Sequence, residues 1–160
     1  MKNIITFIII ILFTLSFTSC KKNIVYTIGQ EHAGGVIAFL DNTGQHGLVI
    51  SKKDIAYARD GSSGVNWSDA NNRCNNYNSD EGGWRLPTQD ELLKIYESKD
   101  LFNFYELSNG SWGVRRFYWS STINEDGQAW QLCFGETLIS KFQCSNCKNS
   151  RGFTRAVKSF

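Results

Sequence analysis

The chain has 160 residues, enough for one domain plus a targeting segment. Its 17 Lys and Arg against 15 Asp and Glu leave a formal charge of only +2, which argues against a protein held to nucleic acid by phosphate neutralisation. A single Pro, 14 Gly and an aromatic share of 14% exclude collagen, coiled coil and disorder, and suit a compact, loop-rich fold.

Met1-Lys2-Asn3 is a short positive start before an almost wholly apolar run, Ile4 to Phe17. As a helix that run spans about 21 Å, short of the ~30 Å of a hydrocarbon core, so it reads as the apolar part of a signal peptide and not as a permanent span. It ends in Leu15-Ser16-Phe17-Thr18-Ser19-Cys20, which resembles a bacterial lipobox. Residues 1–19 are then a lipoprotein signal peptide, and residues 20–28 are a lipidated Cys20 with a short tether. The domain proper occupies residues 29–160. Five cysteines is an odd count, and lipid at Cys20 leaves four for an oxidising compartment, where they can pair. The expected location is the bacterial cell envelope, with the protein anchored in the outer membrane by its lipid.

Val36–Leu40 and Gly47–Ser51 are apolar runs around Asp41-Asn42-Thr43-Gly44, a hairpin signal. Residues 52–66 are polar and rich in Gly and Ser, hence loop. Ser68 is the expected N-cap of a short helix through about Tyr77, with Asp69 favourable in its first turn. Thr88 and Glu91 form a capping box before Leu92, Ile95 and Tyr96 at helical spacing. After an irregular aromatic stretch, Tyr118–Thr122, Ala129–Phe134, Thr137–Gln143 and Phe153–Lys158 read as strands, with Trp130, Leu132 and Phe134 alternating onto one face. Hairpin, two short helices, then strands is an α+β order with antiparallel pairing, not a repeated βαβ sheet.

Gly82-Gly83-Trp84-Arg85-Leu86-Pro87-Thr88 with Glu91-Leu92, followed by Tyr118-Trp119-Ser120-Ser121-Thr122, resembles the Legionella collagen-like protein C-terminal domain family. Supporting matches run in order: Gly34-Gly35-Val36-Ile37, Gly44 to Val49, Trp67 to Ala70 with Cys74, Trp130, and Phe153 to Lys158. The resemblance covers residues 29–160 and implies a C-type-lectin-like fold, with Trp84 and Trp119 in the core. It also implies a secreted or surface binding module directed at glycans or surface polymers. Related domains often carry a cysteine in the closing strand that pairs with the one in the first helix; here Ala156 stands at that place. The calcium and sugar signatures of animal C-type lectins are missing from this chain, so calcium-dependent sugar binding does not follow from the fold name.

Four cysteines allow three pairings. A local Cys144–Cys147 bridge would leave Cys74 with Cys133 to tie the first helix to the sheet. A redox-active Cys-x-x-Cys expects a thioredoxin-like setting, and a zinc site expects two close pairs where this chain has one; structural disulfides are the favoured reading, with no cofactor and no metal. Formylglycine-generating enzymes share an Arg-Leu-Pro-Thr-like turn and bind copper through two cysteines, but this chain is much shorter and lacks their cysteine pattern. His32 and His46 sit in loop settings without a triad around them, and Ser120 and Ser121 read as strand packing. The expectation is a non-enzymatic chain.

Trp112 lies in a Gly/Ser-rich stretch before Arg115 and Arg116, the composition of a binding hot spot. Residues 137–160 hold Lys141, Lys148, Arg151, Arg155 and Lys158 and no acid, a basic edge suited to acidic polysaccharide or anionic lipid. Trp112, Arg115, Arg116, Lys141 and Arg151 are the candidate ligand residues. The expected partners are a glycan or cell-surface polymer, the membrane through the anchor, and no nucleic acid. The alternative is an envelope assembly component that binds another protein.

Overall fold

The computed structural model describes residues 24–55, 64–78, 82–101, 116–134, 141–143 and 150–160. The elements are β1 Glu31–His32, β2 Gly35–Leu40, β3 Gly47–Ile50, α1 Trp67–Asn75 and α2 Gln89–Glu97. They continue with a 3-10 turn at Lys99–Leu101, β4 Arg116–Ile123, β5 Ala129–Phe134, β6 Lys141–Gln143 and β7 Val157–Ser159. Two antiparallel sheets result, in the orders β1-β2-β3-β7 and β4-β5-β6. The fold is α+β, as the order of sequence patterns predicts.

The β2–β3 hairpin forms where the turn chemistry places it. Asp41 Oδ1 accepts from the Thr43 amide at 3.0 Å and from its hydroxyl at 2.6 Å, and Gly44 takes φ +68°. A register shift between Ile37 and Phe39 lets consecutive residues Ile37 and Ala38 enter different halves of the core. Ile37 joins Val49, Ala70, Cys74, Trp84, Trp119 and Ala156, the cluster under α1. Ala38 joins Leu48, Ile50, Tyr118, Leu132 and Phe134 under α2, where Leu92 and Ile95 are buried one turn apart.

Both helices start on side-chain caps. Around α2 the capping box is complete, since Thr88 Oγ1 accepts from Glu91 N and Glu91 Oε2 accepts from Thr88 N. Around α1 the cap is Asn66, whose Oδ1 accepts from Asp69 N at 2.8 Å, and not the expected Ser68. The correction is two residues, and it puts Trp67 at the first helical position. From there the Trp67 indole donates to Ser120 O at 2.8 Å, while Trp119 Nε1 donates to Val65 O at 2.8 Å. Two indoles thus fasten the start of α1 to β4, each meeting the need of a buried N–H for an acceptor.

The two sheets meet along the C-terminal segment. Phe153 N donates to Phe117 O at 2.7 Å and Trp119 N donates to Phe153 O at 3.1 Å, a parallel contact with β4. Four residues later Val157 exchanges hydrogen bonds with Arg85 and pairs with Ile50 of β3. The last expected strand is therefore shorter than Phe153–Lys158. Residues 153–156 bridge the sheets and β7 begins at Val157.

Candidate functional site

Beyond β3 the chain turns out of the sheet at Ser51 and runs through Lys52, Lys53, Asp54 and Ile55. This stretch is polar by sequence, yet its backbone is fixed by the segment that joins the sheets. Ser51 N donates to Ala156 O and Ile55 N to Thr154 O, both at 2.9 Å. Ser51 Oγ donates to Lys53 O at 3.0 Å and accepts from Ala156 N at 3.2 Å.

Between these two ties Asp54 points inward. Its Oδ1 accepts from Arg155 Nε at 2.8 Å and from the Tyr118 hydroxyl at 3.1 Å, and the side chains of Asp54 and Arg155 are only 1% and 3% exposed. Arg155 Nη1 also donates to Ser51 O at 3.1 Å and Lys52 O at 3.3 Å. Among the described residues the buried guanidinium meets the Asp54 carboxylate and the Ser51 and Lys52 carbonyls, and this pairing makes its burial tolerable.

Beside this pair lies an open surface pocket of about 470 Å³ lined by Lys52, Lys53, Asp54, Ile55 and Tyr77. Tyr77 follows the end of α1 and stacks edge-on against Trp84, ring centroids 4.9 Å apart. Lys52 Nζ meets Glu31 at 2.7 Å, a pair 46% and 74% exposed and so worth little. Lys53 is exposed and has no carboxylate partner among the described residues. Two buried polar atoms lie one step behind the lining. Trp84 Nε1, on the ring that Tyr77 stacks against, and Thr154 Oγ1, on the residue whose carbonyl Ile55 N reaches, have no hydrogen-bond partner among the described residues. The lining brings together a tyrosine, two lysines, one of them paired with Glu31, and a backbone fixed by hydrogen bonds.

The residues singled out from sequence fare differently. Cys20, Trp112, Arg115, Lys148, Cys144 and Cys147 lie outside the described residues. Backbone register sets Arg116 opposite Phe134 and Lys141 opposite Leu132, on the strands flanking β5. Arg151 is exposed, with Nη1 3.5 Å from Gly64 O. The basic edge is not continuous, because Arg155 is spent on the buried pair with Asp54 and half-buried Lys158 lays its stem over Gly83. His32 is packed between Tyr26 and Phe160, at centroid distances of 4.8 and 4.6 Å, and His46 is exposed in the hairpin turn.

The expected Cys74–Cys133 bridge is not made. Cys74 faces the cluster under α1, which also contains Ala156, whereas Cys133 pairs with Phe117 across β4–β5. Burial alone pushes the Cys74 thiol up to about 12, so it behaves as a small apolar group. The cavity residues Lys52, Lys53, Asp54 and Tyr77 were not legible as a site. The sole signal was complementary charge at Asp54 and Arg155, 101 positions apart.

No curated protein matches the chain. The family model described as the Lcl C-terminal domain matches residues 42–158, which takes in the hairpin turn, both capped helices, β4, β5 and the Asp54–Arg155 pair. The chain belongs to the Lcl C-terminal domain family.

Proposed function

We propose that this chain is the non-catalytic binding module of a lipid-anchored envelope protein, and that it recognises a glycan or other cell-surface polymer. The observation that carries the reading is the open pocket of about 470 Å³ at Lys52–Ile55, lined by Tyr77 and by Lys53, which is exposed and has no carboxylate partner among the described residues. Sugar rings present an apolar face that suits an aromatic side chain, and acidic sugars add a charge that suits lysine. The floor is rigid because the Asp54–Arg155 pair and the Ile55–Thr154 hydrogen bond fix it, so little ordering cost attends binding.

The test is a glycan array probed with the mature chain, repeated with Lys53→Glu and Tyr77→Ala. Binding to acidic saccharides that both substitutions abolish, while circular dichroism shows both variants folded at the assay temperature, is the expected result. A chain that binds no saccharide, or one whose binding ignores both substitutions, refutes it. In-cell cross-linking that instead traps one protein, with or without glycan removal, favours the assembly role.

A further inference from the structure

The N-terminal segment is held at one end of the first sheet. Gln45 Nε2, in the β2–β3 turn, donates to Ile24 O at 3.0 Å, and Tyr26 packs on His32 and Phe160 at centroid distances of 4.8 and 5.0 Å. Gly29 N then donates to Ile37 O and Ile37 N to Gln30 O, both at 2.8 Å, so the segment runs along β2 from the turn toward β1. The chain therefore enters the domain beside the turn and does not swing freely. At this clamp stand Ile24 and Val25, two apolar side chains 51% and 81% exposed. They are preceded by Lys21 and Lys22.

Cys20 is four residues from Ile24, a reach of at most about 14 Å for extended chain. The cavity lies at the other end of the same sheet. From Gly47 at the turn, β3 rises to Ile50, about 10 Å at ~3.3 Å per residue, and the cavity residues follow where the chain leaves the sheet.

We propose that the turn end of this sheet, Ile24 and Val25 with Asn42–His46, rests on the lipid surface of the membrane that holds Cys20, and that the cavity at Lys52–Ile55 therefore opens away from it. The inference rests on the lipid attachment in the reading above. Four residues hold the entry point within about 14 Å of the lipidated Cys20, and an exposed apolar pair beside two lysines is suited to the interface between headgroups and acyl chains. Asp41, the acid at this end, turns its carboxylate onto the Thr43 hydroxyl and the turn's own amides, so it opposes the contact weakly.

The experiment places the lipidated, isotope-labelled mature chain in nanodiscs of phosphatidylethanolamine and phosphatidylglycerol containing a gadolinium-chelating lipid. Amide signals of residues 24–25 and 42–46 should lose most of their intensity, while those of Lys52–Ile55 and Tyr77 keep theirs. In the variant I24D/V25D the domain swings on its tether and that contrast shrinks. An acylated chain that shows equal losses at both ends, or a reversed order, overturns the orientation while leaving the anchor and the glycan reading intact. Unchanged contrast in I24D/V25D overturns the apolar contact. A mature chain with no acyl mass on Cys20 overturns the anchor and the orientation with it.

Discussion

Asp54→Ala removes a carboxylate that faces a guanidinium 3% exposed, and at the same time removes an acceptor from the Tyr118 hydroxyl. Breaking a buried pair by deleting one partner costs about 3–5 kcal/mol, because the remaining charge is stranded in a poorly solvated site. Here Arg155 keeps the Ser51 and Lys52 carbonyls, which sets the ion-pair loss at the low end, and the lost Tyr118–Asp54 hydrogen bond adds about 1 kcal/mol. The sum is about 4 kcal/mol, a large part of the 5–15 kcal/mol typical of a domain. With a urea slope of roughly 2 kcal/mol per molar, the unfolding midpoint falls by about 2 M. Urea titration followed by tryptophan fluorescence reads this directly, since the buried Trp84 and Trp119 both lie in the core.

Two comparisons sharpen the test. Tyr118→Phe should cost only about 1 kcal/mol, and Asp54→Ala with Arg155→Ala together should cost clearly less than the two singles added. A loss under about 1 kcal/mol for Asp54→Ala, or strict additivity in the double variant, would refute the claim that this pair organises the cavity floor.

Two further outcomes follow from the same geometry. Burial would raise the Glu91 carboxyl, but the bidentate Arg85 guanidinium at 2.6 and 2.7 Å and the Thr88 amide outweigh it and hold Glu91 below its usual 4.5. That contribution is complete above the unfolded value and is lost as pH falls through the lower folded one. Glu91→Gln should therefore cost about 1 kcal/mol at pH 7, with the gap to wild type closing below pH 4.5 in urea titrations; a constant gap contradicts the linkage. Cys74, its thiol pushed up to about 12, should resist iodoacetamide at pH 8 in the folded chain and react on unfolding. Above the usual value of 9.0 the unfolded thiol ionises first, so wild type should lose stability relative to Cys74→Ala as pH rises; native-state labelling of Cys74 by mass spectrometry would contradict its burial.

Local signals determined local structure in this chain. Thr88 and Glu91 lie three residues apart and satisfy each other's backbone, so α2 and its start are written in six or seven consecutive letters. The hairpin at Asp41–Gly44 is equally local, whereas in β5 Leu132 and Phe134 join the core but Trp130, expected on the same face, is half-buried, and Gln131 and Cys133 between them are buried as well. Even the missed cap of α1 is a local error, since Asn66 and Ser68 are both good caps and only the Asp69 amide shows which of them is used. The family, too, was legible as an ordered set of short motifs spread over the domain.

Tertiary structure decided everything that joins distant residues. Whether Arg155 belongs to a solvated basic edge or to a buried pair depends on Asp54, 101 positions away, and a strand pattern cannot say which charge finds a partner inside. Whether Cys74 is bridged depends on which side chains share its half of the core, and they are Trp84, Trp119 and Ala156. The cavity exists because the C-terminal segment fixes Lys52–Ile55 while Tyr77 arrives from the end of α1. Secondary structure follows from neighbours a few residues apart. Burial, charge pairing and the shape of a binding surface follow from which distant segments the folded chain brings together.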